Sequence, residues 1–329
     1  MRESGVRASL CILPAAAVVL VLVSVFVFCR EPSHDRLPGR MTPPDTQQAQ
    51  DDRDRSSGWF LKERFVKRRG VAVVIHGLNL KPERMGYIIA ALNRAGIDVL
   101  NVSLSGHGDN YEPSGGLTAE AARLETFRTV SYPVWQREVM NACRKAGIRA
   151  DRNRVPLFLV GYSLGGLLGC DLVLTNAGSD VRRMVLFAPA LSVKIEAHLL
   201  KFLTPFPSLV IDSLSPRWYR ANDGTPMAAY RALFEAIGRV EAGAGPRLNV
   251  PTLVLIDPGD EFISTEKIRE FMTVRGLSRW RVLAVAKDGN VAAATSHHLV
   301  IDEAAMGRNA WREVEKAVIG HILKREADS

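Results

Sequence analysis

The sequence is poor in the features that mark several functional classes. It has four cysteines, of which Cys11 and Cys29 lie in or at the edge of an N-terminal apolar segment. Cys143 and Cys170 have neither paired nor metal-ligand spacing, so no disulfide framework and no zinc site is implied. A long block of one charge is also missing. The 43 Lys and Arg are scattered among 35 Asp and Glu, and the densest basic run, Lys67-Arg68-Arg69, directly precedes an apolar stretch. That run reads as a solvated strand entrance, which argues against a nucleic-acid partner and leaves open only a weak attraction to anionic lipid. No internal repeat is present, so a repeat architecture is not expected.

What is present is the composition of a globular protein, with 47% apolar and 24% charged residues over 329 positions. That length suits one large α/β domain or two small ones.

Residues 8–28 carry no charge. As a helix they would be roughly 30 Å long, enough to cross a hydrocarbon core. The segment ends Phe26-Val27-Phe28-Cys29-Arg30, without an Ala-x-Ala cleavage site and without a small residue before Cys29. Residues 8–29 are therefore expected to be an uncleaved transmembrane signal anchor behind a short basic flank, 1–7. Arg2 and Arg7 lie on one side and Arg30, Arg36 and Arg40 on the other, so flanking charge does not set the orientation. An exported catalytic domain, periplasmic or extracytoplasmic, is expected because such segments usually serve export. Residues 30–58, rich in Pro, Asp, Arg and Gln, read as a disordered tether that cannot bury enough apolar surface to offset its ordering entropy.

From residue 59 to 329 short β-branched apolar runs alternate with amphipathic stretches, the pattern of a mostly parallel sheet covered by helices on both faces. Strands are expected at 71–75, 97–102, 157–160, 184–187, 252–256 and 280–285, and helices at 83–94, 134–145, 164–175, 265–273 and 311–323. One stretch breaks the rhythm. About 60 residues of helical pattern with several prolines separate the fourth and fifth strands, too many for a structureless loop. They are read as a helical cap insertion at about 191–248.

Gly161-Tyr162-Ser163-Leu164-Gly165-Gly166 follows an apolar run and opens a helical one. A nucleophile on a strand-to-helix turn needs small residues two positions before and two after it, and Gly161 and Gly165 supply them. The turn also sets Ser163 at a helix N-terminus, where amides and the dipole favour developing negative charge. His76-Gly77-Leu78-Asn79 ends the first strand of the region. Such a His-Gly pair shapes a loop that donates an oxyanion-hole amide, so Leu78 and Leu164 are the expected amide pair and His76 is read as structural. Ser105-Gly106-His107-Gly108-Asp109-Asn110 reads as a glycine-rich turn beneath the site.

These three motifs in this order resemble the α/β-hydrolase superfamily, and within it the branch of monoacylglycerol lipases, lysophospholipases and microbial carboxylesterases. The resemblance runs from about Val71 to the C-terminus and implies a chain order of Ser, then Asp, then His. The family's Gly-x-x-Asp after the strand that follows the cap matches Asp257-Pro258-Gly259-Asp260, with Asp257 where the family has Gly. Asp260 is the implied acid, and Asp257 and Glu261 are the outside candidates. The base is expected in Thr295-Ser296-His297-His298, where spacing back from Asp302 favours His297 and leaves His298 a near-equal alternative.

The expected function is a serine hydrolase of carboxylic esters, acting through an acyl-enzyme without metal or cofactor. The apolar stripe through Tyr230, Leu233, Phe234 and Ile237, together with 197–203, points to apolar acyl or lipid-like esters in the cap. Peptidase, amidase and thioesterase activity remain alternatives with the same residues, and a non-catalytic, membrane-anchored binding module is a further one.

Overall fold

The computed structural model describes residues 57–178, 180–194, 199–203, 205–213, 215–292 and 295–324. All of these belong to one of the two units into which the chain divides, Pro43–Ser329. The expected anchor, 8–29, and nearly all of the expected tether, 30–58, lie outside the described residues. Among the described residues no helix is long and apolar enough to cross a membrane.

Seven strands form the central sheet: β1 (Ser57–Phe60), β2 (Gly70–Ile75), β3 (Ile97–Val102), β4 (Leu157–Tyr162), β5 (Val181–Phe187), β8 (Thr252–Ile256) and β9 (Trp280–Ala284). The short strands β6 (Val210–Asp212) and β7 (Gly224–Pro226) pair with each other apart from it. The order across the sheet is β1-β3-β2-β4-β5-β8-β9, and every pairing is parallel except that of the edge strand β1 with β3.

The apolar runs are continuous because both faces of the sheet are covered, so alternate residues bury in opposite directions. Val71, Val73 and Ile75 face one core while Ala72 and Val74 face the other, and Leu157 and Leu159 alternate likewise with Phe158 and Val160. The first core also takes buried residues from α3 (Tyr132–Asn153), α4 (Leu164–Leu174) and α6 (Thr265–Val274). The second takes them from α1 (Gly86–Arg94), α7 (Glu303–Met306) and α8 (Arg308–Leu323). Full burial of each such Val or Leu stabilises the fold by roughly 1.5–3 kcal/mol.

Helix α2 (Ala119–Arg128) starts at Thr118, whose hydroxyl accepts from the Ala121 amide. Its surface is largely polar, and Phe127 and Ala122 are its buried residues. The basic run before β2 is partly paired: Arg68 Nε donates to Asp98 Oδ2 at 2.6 Å, and Arg149 Nε reaches the same oxygen at 2.8 Å. Two cations and the Lys62 amide satisfy a carboxylate that is otherwise wholly buried in β3.

The stretch expected as a cap, 191–248, contains a 3-10 turn (Leu199–Leu203), the β6–β7 ladder and one long helix, α5 (Met227–Gly243). Residues 195–198, including His198, lie outside the description. Leu233 and Ile237 of the anticipated stripe bury in the first core beside Ala229, Ala232, Ala236 and Val240, and Tyr230 and Phe234 pack against it. The long helix is thus part of the main body of the fold. Among the described residues of the stretch, the large apolar side chains that are exposed are instead Phe202, Phe206, Leu209 and Trp218.

Candidate active site

Strand β4 runs into α4 through Ser163, whose backbone sits at φ +50° and ψ −112°. For a residue with a Cβ this is a strained conformation, held only where the surroundings over-determine it. Three hydrogen bonds do so. The Ser163 amide donates to the Phe187 carbonyl at 2.9 Å, and its carbonyl accepts from Ala190 at 3.0 Å and from Leu167 at 3.1 Å.

The flanking glycines are required by contact. A Cβ on Gly165 would lie 2.1 Å from the Ile75 carbonyl oxygen, and one on Gly161 would lie 2.6 Å from the backbone of Gly165 and Gly166. The turn therefore presses against the end of β2, where His76-Gly77-Leu78-Asn79 begins. Leu164 is the first residue of α4, so its amide has no acceptor within the helix.

Across from the turn lies the loop after β9. His298 Nε2 is 3.0 Å from Ser163 Oγ, and its Nδ1 is 2.8 Å from Asp260 Oδ2. The ring sits between Tyr162 and Phe262, at centroid distances of 5.2 and 5.3 Å. The sequence leaves two histidines open and favours His297, whereas the histidine that the structure sets beside Ser163 is His298. His297 Nδ1 instead meets Asp257 Oδ2 at 2.8 Å. The reason is local: the Leu299 amide donates to Ser296 O at 3.0 Å, closing a turn with the two histidines at its corners, so their side chains diverge. His298 turns inward and keeps 12% of its side-chain surface, whereas His297 keeps 38%.

The three candidate acids separate as well. Asp260, fully buried, gives Oδ2 to His298 and Oδ1 to the Phe262 and Ile263 amides at 2.8 and 2.9 Å. Burial raises its carboxyl, but the His298 charge, the His298 hydrogen bond and those two amides together outweigh burial and hold it below the ordinary 3.8. Asp257 serves His297, and Glu261 accepts from the backbone of the histidine loop.

The family model for serine aminopeptidase, S33 (Hydrolase_4) matches residues 66–282, about two thirds of the chain. The chain belongs to this α/β-hydrolase family. The S33 match covers the serine turn and the acidic loop and stops before the histidine loop, so the His297–His298 choice rests on geometry alone. No curated protein matches the chain. Among solved structures, one described for the metagenome-derived lipolytic enzymes LipS and LipT has 19% identity and a TM-score of 0.63, covering 81% of this chain and 97% of its own. A soluble variant of monoglyceride lipase from Saccharomyces cerevisiae has 11% identity and a TM-score of 0.64, covering 88% and 97%. A carboxyl esterase from Bacillus coagulans has 13% identity and a TM-score of 0.57, covering 84% and 97%. These likenesses show the fold alone, an α/β-hydrolase fold with a mostly parallel sheet.

Two features of this S33 site have no counterpart in the sequence reading. The first is Asn79, in the left-handed region at φ +52°, which holds the Leu78 loop. Its amide donates to His107 Nε2 at 3.0 Å, its side-chain nitrogen donates to Asn222 O at 2.9 Å, and its Oδ1 accepts from the Asn222 amide at 2.8 Å. The second is the packing of His76 against His107, with ring centroids 4.6 Å apart and planes tilted by 48°. His76 Nε2 accepts from Leu104 N at 3.1 Å and its Nδ1 donates to Gly77 O at 2.8 Å, in keeping with the structural role expected for it. Burial lowers His76 to about 4 and holds His107 well below its ordinary value, so both rings are neutral near pH 7. The turn at 105–110 thus supports the Leu78 loop from beneath.

Proposed function

We propose that the protein is a serine hydrolase of carboxylic esters, with Ser163 as nucleophile, His298 as general base and Asp260 as the acid that orients it. The observation that carries the reading is the continuous hydrogen-bonded line from Asp260 Oδ2 through both His298 nitrogens to Ser163 Oγ, at 2.8 and 3.0 Å, on a strained strand-to-helix turn. His298 Nε2 removes the serine proton as Oγ attacks the acyl carbonyl, and Asp260 fixes the Nδ1–H tautomer and stabilises the imidazolium. The amides of Leu78 and Leu164 receive the oxyanion. His298 then returns its proton to the departing alcohol, and water, activated by the same nitrogen, releases the acid from the acyl-enzyme.

The acidic groups favour esters over aminopeptides, in spite of the family's name. A substrate with a free α-ammonium calls for an unengaged carboxylate near the serine. Asp257, Asp260 and Glu261 are all engaged with the histidine loop. Phe262, exposed and packed edge-on against His298, fits an apolar acyl group, and the lipolytic enzymes of like fold point the same way. We further propose that residues 8–29 hold the domain at a membrane with the catalytic region exported; carbonate extraction of the full chain from membranes would contradict this by releasing it.

The substrate test is a comparison of purified full-length protein on p-nitrophenyl butyrate and on an aminoacyl p-nitroanilide. Ester turnover far above anilide turnover is expected. The reverse order would favour the peptidase reading.

A further inference from the structure

Three carboxylates follow β8 within five residues, and the structure turns all of them toward the loop that carries His298. Asp260 takes the His298 ring, Asp257 takes the His297 ring, and Glu261 takes the loop's backbone. Glu261 Oε1 accepts from the His297 amide at 2.8 Å. Its Oε2 accepts from the His298 amide at 3.0 Å and from Ser296 Oγ at 2.8 Å. A fourth group closes the loop from the other side: Lys287 Nζ donates to Ser296 O at 2.6 Å and to Thr295 Oγ1 at 2.9 Å.

We infer that Glu261 is a positioning residue for catalysis, a carboxylate clamp that fixes the height and angle of the His298 imidazole over Ser163; the inference rests on His298 being the base. The turn is closed by a single backbone hydrogen bond, from Leu299 N to Ser296 O. Three donors from three consecutive residues, Ser296, His297 and His298, converge on the one Glu261 carboxylate, so the turn that aims the ring is set by where that carboxylate stands. Glu261 in turn is fixed by its neighbour in sequence, since Asp260 Oδ1 is locked by the amides of Phe262 and Ile263. Acid and clamp are therefore one rigid unit at the end of β8. Burial raises the Glu261 carboxyl, and the loop donors outweigh burial and hold it below 4.5, so it is ionised at neutral pH.

Glutamine cannot replace it. Either orientation of the amide points an NH2 donor at a backbone N–H, that of His297 in one flip and that of His298 in the other. The ring would stay in the site with its Asp260 partner but lose its fixed distance to the reacting atoms, and a displacement of about 1 Å is enough to cost about 100-fold in rate.

Leaving-group chemistry separates positioning from a merely structural role. An alkyl alcohol leaves only as His298 delivers a proton to it, whereas p-nitrophenolate leaves without one. The test measures kcat/KM, which reports acylation, for Glu261→Gln on the p-nitrophenyl and ethyl esters of one acid, with thermal melting in parallel and Ser163→Ala as the control. The expected result is a loss on the ethyl ester about ten times larger than the loss on the p-nitrophenyl ester, as for a misaligned general acid. Equal losses on both esters, or no loss, would overturn the inference. Should Glu261→Gln not fold, Ser296→Ala removes one of the three donors and is expected to show the same asymmetry at about threefold, its absence being equally decisive. If Ser163→Ala retains wild-type turnover, the underlying reading fails; if it is inactive while Glu261→Gln acts equally on both esters, only the clamp fails.

Discussion

Replacing His298 and His297 by alanine, one at a time, separates two residues that are adjacent in sequence and similar in their surroundings. Each ring donates from Nδ1 at 2.8 Å to an aspartate of the same loop, but only His298 has its second nitrogen at 3.0 Å from Ser163 Oγ. Removing His298 takes away the proton acceptor for attack and the donor for the leaving group. A loss of about 10⁴-fold or more in kcat/KM is expected, or at least about 5 kcal/mol of transition-state stabilisation. It also leaves the wholly buried Asp260 with two amide partners instead of three donors, which costs about 1–3 kcal/mol of stability. Removing His297 breaks one hydrogen bond at a ring with 38% of its side-chain surface exposed. Asp257 keeps the Gly259 amide at 2.8 Å, so the stability cost is about 1 kcal/mol and the rate falls by less than about tenfold. The assay is kcat/KM on a soluble p-nitrophenyl ester, with circular dichroism melts to confirm that both variants are folded. A folded His298→Ala enzyme with near wild-type turnover beside an inactive His297→Ala enzyme would refute the reasoning.

Two further outcomes test the scaffold. Gly165→Ala would drive a methyl to 2.1 Å from the Ile75 carbonyl, so the turn must shift. A stability loss of at least about 1–3 kcal/mol is expected together with a fall in kcat, read by denaturant titration and ester turnover; a neutral variant would contradict the account of the turn. His76 and His321 are held neutral by burial and lowered to about 4. The unfolded chain binds more protons than the folded one below the ordinary 6.5, so these two groups favour folding fully above that value and lose their contribution as pH falls from 6.5 to 4. The shift corresponds to about 3 kcal/mol for each ring. Unfolding free energies at pH 7 and 4.5 measure this, and His321→Gln is expected to flatten part of the slope.

The parts of the fold legible in the sequence were those whose pattern had a single physical meaning. The continuous apolar runs that became β2, β4 and β8 could only be strands buried on both faces, and the glycines about Ser163 could only serve close backbone approach. Strand β1 escaped notice because it is a half-buried edge strand of four residues with no apolar run. Helix α2 was hidden by its polar surface, since only Ala122 and Phe127 bury. The helical pattern at 227–243 was visible, but a pattern does not say what it packs against, and α5 joined the main core. Between His297 and His298 the sequence offered two histidines and two aspartates, and both pairs form. Which pair meets the serine depends on the turn closed by Leu299 and Ser296, a relation between two loops that no spacing along the chain encodes. Asn79 and Glu261 stood inside motifs already singled out, yet the partners of the Asn79 side chain lie 143 positions away and those of Glu261 35 to 37.

The central claim is that Ser163 is a nucleophile activated by His298. Its most direct measurement is intact-mass analysis of the folded, full-length protein after treatment with a fluorophosphonate probe, with the adduct mapped by peptide sequencing. One covalent adduct per chain on the peptide containing Ser163 is expected, absent in Ser163→Ala and formed far more slowly in His298→Ala. Folded wild-type protein that takes no adduct, or a Ser163→Ala protein labelled as fast as wild type, would contradict the claim.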